Sequence, residues 1–245
     1  MLRAAVTALL LLTSAPAVAQ TRDPVDDGIA AYDSGDFDTA AKAFAFASQS
    51  GKAEAWYWLG RLSAEGDGMP QDDAKAVQMY QKGADLANPD ALNALGMAWY
   101  NGKGVAQDKA RGFDLMTRAA NEGSTGAMRN LAAMLLNGDG VAQDKAAGAQ
   151  WVTKAAEAGD AFSQDTLGTL YFTGEGVDKG AAQAVAWFEK AAGQGDTDAM
   201  LNLGDIYDGG LGVAKDPQMA RTWYLKAAAL GDADAQKWLA GHPAQ

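Results

Sequence analysis

Apolar and small residues recur along this chain at helical spacing. Between Pro89 and Tyr100, the residues Leu92, Leu95, Gly96 and Trp99 fall on one face of a 3.6-residue period. A glycine-containing break follows, and from Lys109 to Asn121 a second apolar face is formed by Phe113, Met116, Ala119 and Ala120. The pattern predicts two antiparallel helices, A and B, joined by a loop. It then returns with a strict step of 36 residues. Gly68, Gly104, Gly140, Gly176 and Gly212 keep that step, as do Gly66, Gly102, Gly138, Gly174 and Gly210. So do Leu59-Gly60, Leu95-Gly96, Leu131-Ala132, Leu167-Gly168 and Leu203-Gly204, and the column Ala84, Ala120, Ala156, Ala192 and Ala228. The pentapeptide Val-Ala-Gln-Asp-Lys stands at 105–109 and again at 141–145. Five tandem copies without insertion predict an all-α superhelical solenoid of antiparallel helix pairs.

The turns carry matching chemistry. Asn88, Ser124, Asp160, Asp196 and Asp232 share one register and suit the N-cap of helix A. Gly123, Gly159, Gly195 and Gly231 precede four of them and suit a left-handed residue closing helix B; Ala87 stands there in the first copy. Asp72, Asp108, Asp144 and Asp216 are placed to cap helix B, and Pro89 and Pro217 take first helical positions. Gly60, Gly96, Gly168 and Gly204, with Ala132 in the third copy, lie inside helix A, where small residues allow close helix approach. The paired loop glycines suit backbone with φ > 0.

A family resemblance rests on these residues. Leu-Gly, then Trp99, Tyr171 or Tyr207, then Gly-x-Gly-Val, Asp, Trp187-Phe188 or Trp223-Tyr224, Lys-Ala-Ala and Gly: the motif resembles the Sel1-like repeat, a relative of the tetratricopeptide repeat with a longer loop. Leu135-Leu136 replaces the aromatic in the third copy. The resemblance covers residues 52–87, 88–123, 124–159, 160–195 and 196–231. Within 20–51, Gly28 to Tyr32, Gly35-Asp36-Phe37-Asp38, Ala40, Phe44 and Ala47 are similar to a shorter tetratricopeptide-type hairpin. Residues 232–245 read as a capping helix and tail, with Leu239 at the register of Leu203. The resemblance implies a right-handed superhelix of about thirteen helices, with A helices lining a concave face.

The N-terminus has a different pattern. Arg3, the apolar run 4–12 and Ala17-Val18-Ala19 form a signal peptide, with cleavage expected after Ala19 and a periplasmic or secreted mature chain. An uncleaved anchor or a buried N-terminal helix is the competing account of the run. No cysteine follows it, so lipid anchoring there is excluded, and no membrane insertion is expected after cleavage. Composition sharpens the chemistry. With 54 Ala, 29 Gly and only 2 Ile, the chain favours helices over sheet. The absence of Cys excludes disulfides, thiolate metal sites and cysteine nucleophiles, and a single His removes most histidine-based catalysis. A net charge of −11, one unit more negative once Arg3 is removed, disfavours nucleic acid and anionic lipid. Acidity of this kind also serves solubility alone.

Catalytic and cofactor motifs fail in turn. His242 lies in the tail with no second His. Gly138-Asp139-Gly140 lacks calcium-loop spacing, with Leu135 at the first place and Ala146 at the twelfth. Gly102-Lys103-Gly104 lacks the spacing of a phosphate loop. Carboxylates are numerous enough that counting alone does not remove a glycosidase-type pair. The column Lys82, Arg118, Lys154, Lys190 and Lys226 could grip a polyanion or complement helix dipoles; the second account is favoured.

In the tetratricopeptide family, groove-facing positions of helix A fall on columns that vary here: Tyr57, Asn93, Arg129, Asp165, Leu201; Arg61, Met97, Ala133, Thr169, Asp205; Ala64, Tyr100, Leu136, Phe172, Asp208; and Glu65, Asn101, Asn137, Thr173, Gly209. The resemblance implies a partner-binding groove with Tyr57, Arg61, Asn93, Met97, Tyr100, Asn101, Arg129, Asn137, Phe162 and Phe172 as candidate contacts. Packing between helices is the alternative for Phe172 and Leu136. The expected function is a monomeric, non-enzymatic scaffold in the cell envelope, without cofactor or metal, holding a protein or extended peptide. A scaffold for polysaccharide or peptidoglycan assembly is the alternative. Some exported relatives are linked to β-lactam binding or hydrolysis, but those are cysteine-rich.

Overall fold

The computed structural model describes residues 23–243; the expected signal segment lies outside the described residues. Thirteen α-helices and no strands occur among them: α1 (Pro24–Asp33), α2 (Phe37–Gln49), α3 (Ala53–Glu65), α4 (Asp73–Asp85), α5 (Pro89–Asn101), α6 (Lys109–Asn121), α7 (Thr125–Asn137), α8 (Lys145–Glu157), α9 (Ala161–Thr173), α10 (Ala181–Gly193), α11 (Thr197–Gly209), α12 (Pro217–Ala229) and α13 (Ala233–Gly241). Consecutive helices pack as antiparallel hairpins, and each hairpin packs on the next. The odd-numbered A helices also meet across repeats, α3 against α5 and α5 against α7, which puts them on the inner face.

The helix ends form as the sequence leads one to expect. Asn88, Ser124, Asp160, Asp196 and Asp232 each accept a backbone N–H at 2.7–3.2 Å, and Asp72, Asp108, Asp144 and Asp216 do so at 2.9–3.0 Å. Each such cap stabilises its helix by about 1 kcal/mol. The α10 helix starts at Gly180 with no side-chain cap. Lys82, Arg118, Lys154, Lys190 and Lys226 all sit in the last turn of a B helix, near its negative end. Four of these cations also lie over a Trp ring, at 3.5–4.3 Å from the centroid.

Two steric columns set the spacing of the stack. Within a hairpin, a small residue on helix A faces the side chain twenty positions later on helix B. A Cβ at Gly96, Gly168 or Gly204 would lie 2.8, 2.7 and 2.7 Å from Met116, Phe188 and Tyr224, and one at Gly60 would overlap the Tyr80 ring. The third hairpin reverses the sizes: Ala132 has a Cβ, and the facing residue is Val152, smaller than the Met, Phe or Tyr of the other copies. Between hairpins, the second loop glycine rests on the start of the preceding B helix. A Cβ at Gly68 would lie 2.8 Å from Phe37, and at Gly104 and Gly176 it would collide with the backbone of Asp73 and Lys145. These glycines also have φ of 66–79°.

Ala87 is the one non-glycine with positive φ among the described residues, at 60°. The equivalent glycines have φ of 93–100°. Ala87→Gly removes the Cβ clash of left-handed backbone, so it should stabilise the chain by about 1 kcal/mol, read as a rise in Tm of about 2–4 °C. The size exchange in the third hairpin gives a second expectation. Val152→Phe alone should cost about 1–3 kcal/mol by overpacking. Ala132→Gly alone should cost about 1 kcal/mol, yet should be stabilising in the Val152→Phe background. Urea unfolding of the four proteins measures that reversal of sign, and additive effects would contradict it.

Candidate functional site on the inner face

The ten candidate contacts fall into different environments. Arg61 is committed to the N-terminal hairpin. Its guanidinium donates to Glu65 Oε1 and to the Tyr32 hydroxyl, each at 3.0 Å, and lies about 5 Å from the centres of the Tyr32 and Trp58 rings. Tyr32 in turn donates to Glu65 at 2.6 Å. Burial, then the Glu65 carboxylate, pushes the Tyr32 hydroxyl up to about 12. Tyr57 is half-buried beside the Trp58 and Tyr80 rings. Asn93 accepts a hydrogen bond from Asn130 across neighbouring A helices at 3.0 Å.

Tyr100 is not on the groove. It is 7% exposed, because Gly112 opposite it leaves room for its ring: a Cβ at Gly112 would lie 2.8 Å from that of Tyr100. Its hydroxyl is 3.4 Å from Lys109 Nζ, and the loop glycine Gly140 closes over it. Leu136 repeats the arrangement opposite Gly148, partly buried. Phe172, facing Ala184 in the same register, is half-buried with Lys179 5.7 Å from its ring centre.

The remaining candidates line two clefts. Met97 and Asn101 border a cleft of about 180 Å³ between the first two repeats, with Ala64, Tyr80 and Lys103. Arg129, Asn137 and Phe162 come together in a cleft of about 260 Å³ between α7 and α9. Its floor is Ala132, Leu136, Val152, Ser163 and Leu170, and its rim includes Thr166 and Glu175. Phe162 is 59% exposed, and Arg129 lies 5.0 Å from its ring centre while reaching Asp160 at 3.4 Å. The sequence reading missed the buried Ser163 and the rim residues Thr166 and Glu175. Ser163 spends its hydroxyl on Asp160 at 2.6 Å, and Glu175 pairs with Lys145 at 3.1 Å.

A broader depression of about 790 Å³ lies at the C-terminal end, bordered by Arg221, Leu225, Trp238 and His242. His242 stacks on Trp238 at 4.1 Å and donates from Nδ1 to the Trp238 carbonyl at 2.8 Å. No group of three metal-ligating side chains occurs among the described residues, and no helix among them is long and apolar enough to cross a membrane.

Asp165 accepts from Asn202 at 3.0 Å, the same register as the Asn93–Asn130 contact. Burial, reinforced by Asp196 and Asp198, pushes its carboxyl up to about 6. A raised carboxyl binds its proton more tightly in the folded chain. Its contribution to stability is therefore complete below about 4 and is lost as pH rises through about 6. Asp165→Asn keeps an acceptor for Asn202 without the charge. It should gain about 1 kcal/mol at pH 7.5, the rest being screened by solvent, and nearly nothing at pH 4. Urea unfolding at both pH values measures the difference.

The repeat grid has counterparts among known proteins. No curated protein matches the chain. A Sel1 repeat protein of Oxalobacter formigenes is 30% identical, with a TM-score of 0.76 over 88% of each chain. A protective antigen of uropathogenic Escherichia coli with an SLR fold is also 30% identical, with a TM-score of 0.74 over 89% of this chain; the chain spans about half of that antigen (48%). An immunity protein of Pseudomonas aeruginosa, 22% identical over 80% of this chain and 74% of its own, shares the fold at a TM-score of 0.55. The Sel1 repeat model matches residues 53–88, 89–124, 125–160, 162–196 and 197–232. Such repeats commonly mediate protein–protein interaction and are generally non-catalytic. With five matched copies filling most of its length, the chain belongs to the Sel1 repeat family.

Proposed function

We propose that this protein is an exported, non-catalytic scaffold of the bacterial envelope that holds an extended segment of a partner protein on its inner face, anchored in the α7–α9 cleft. The observation that carries this reading is the exposed Phe162 beside an apolar floor, with Arg129, Asn137 and Thr166 within the same cleft. An apolar floor takes a side chain, and the guanidinium, amide and hydroxyl can satisfy the backbone of an extended chain that brings no hydrogen-bond partners of its own. Export rests on the signal pattern in residues 1–19. A polysaccharide ligand would use exposed groove aromatics as stacking platforms, and Tyr100 is buried.

Expressed with its leader in a Gram-negative host, the protein should be recovered from the periplasm with Gln20 as its first residue. A photoreactive residue at Ala133, exposed on the cleft rim, should then trap a discrete partner by a contiguous segment. Phe162→Ala and Arg129→Ala should each weaken that complex about tenfold or more, as central aromatic and arginine contacts do. Unchanged affinity in both variants would rule out the cleft as the anchor.

A further inference from the structure

We propose that the segment held here is cationic: it seats one large apolar residue in the α7–α9 cleft and lays Lys or Arg residues, about three positions away, along an acidic lane on α9 and α11. The inference rests on the groove reading above and gives its occupant a chemistry.

The charge on the inner face is uneven. Together α9 and α11 carry Asp165, Asp198, Asp205 and Asp208 and no Lys or Arg. Asp165 and Asp205 lie on groove columns, 36 residues after Arg129 and Thr169, and Asp198 stands 36 residues after the candidate Phe162; Asp208 shares the column of Phe172, whose member Tyr100 is buried. Compensation within the chain is partial: Asp198 stands in the first turn of α11, near its positive end. Asp165 and Asp205 take hydrogen bonds from the neutral donors Asn202 and Tyr224, at 3.0 and 2.5 Å. Asp208 has only a long contact to Lys215, at 3.9 Å. The earlier A helices do carry inner-face cations, Arg61 and Arg129. The helices α1 and α5 also carry Asp and no Lys or Arg, so what sets α9 and α11 apart is that their carboxylates adjoin the α7–α9 cleft.

The fold does not ask for this charge. Asn93 makes the same inter-repeat contact to Asn130, so a neutral amide serves the register that Asp165 occupies. Asp165 is half-buried, close enough to Asp196 and Asp198 for their charges to hold its proton on, and it is therefore a carboxylate kept at a cost to the free protein. A cation lying across α9 and α11 removes that cost, which couples the bound segment to the lane. The carboxylates are strung over two helices and do not gather as a metal site would. Separated cations on a flexible chain match that layout. Neighbouring helices pack about 8–10 Å apart and an extended chain advances about 3.3 Å per residue, so the step from cleft to lane spans about three residues.

Fluorescence anisotropy on residues 20–245 tests the assignment with labelled peptides in a Gly/Ser frame. One carries a Trp followed from the third position by three spaced Lys residues, one has Glu in place of Lys, and one has Ala in place of Trp. An unbiased twelve-residue display library is selected in parallel. The Trp–Lys peptide should bind at least tenfold tighter than either control and weaken steeply with salt. Asp165→Asn/Asp198→Asn/Asp205→Asn should weaken it at least tenfold and flatten its salt dependence, and Ala133→Arg, at an exposed rim position, should abolish binding. Library binders lost in Ala133→Arg but without Lys or Arg enrichment, and indifferent to the triple substitution, would overturn the cationic assignment and leave the groove reading standing. Equal binding of the Ala-for-Trp peptide would overturn the anchored mode. A library with no binder sensitive to Ala133→Arg would remove the groove reading itself.

Discussion

One contact governs the architecture: a backbone on helix A pressed against a large side chain on helix B, twenty residues later. Gly60, Gly96, Gly168 and Gly204 take Tyr80, Met116, Phe188 and Tyr224 at distances that leave no room for a Cβ. This brings the two helices of a hairpin together without a disulfide, in a chain that has no cysteine. The second loop glycine repeats the device between hairpins by resting on the preceding B helix. Close approach and positive φ then coincide at one residue type, so the 36-residue step cannot drift. Because each hairpin touches mainly its neighbours, stability accumulates contact by contact along the stack.

Such a framework separates positions that packing dictates from positions it leaves open. The exchange of Gly and Tyr, Met or Phe for Ala and Val in the third hairpin shows packing at work, since the pair conserves space where either residue alone would not. It also shapes the candidate site. Val152 forms part of the floor between α7 and α9, where other copies carry a longer side chain, and Ala133 leaves the rim low. The cleft thus shares a cause with the irregularity in the repeat.

Most of the fold was legible because its signals are local or periodic. Asp, Asn and Ser caps act within three residues, and a glycine at a closing position announces a left-handed turn by itself. The cleft was partly legible: Arg129 and Asn137 stood on variable columns, Phe162 was named beside them, and the three meet. Tyr100 was misplaced because its orientation depends on a residue in another column. Gly112 opens the space that Tyr100 fills, as Gly148 does for Leu136, and neither member reveals it alone. Reading columns twelve residues apart as pairs would have found both. Thr166 escaped notice for a related reason: its neighbour Asp165 occupied the column under scrutiny, whereas the cleft draws on the adjacent one.

Charge completes this separation of scaffold from surface. A net charge of −11 averaged over the molecule would need no explanation beyond solubility. Solubility, however, is served by fully exposed carboxylates, which cost the fold almost nothing. Asp165 is half-buried, has no cationic partner among the described residues, and occupies a register where Asn93 shows that an amide suffices. Such a group weakens the folded chain at neutral pH while adding no contact an uncharged residue lacks, so packing does not explain it. The columns that differ between copies therefore fall into two physical kinds. Where a size change on one helix is matched on the other, the difference belongs to the scaffold. Where a half-buried carboxylate has only a neutral donor, as Asp165 has in Asn202, the difference is not matched within the scaffold.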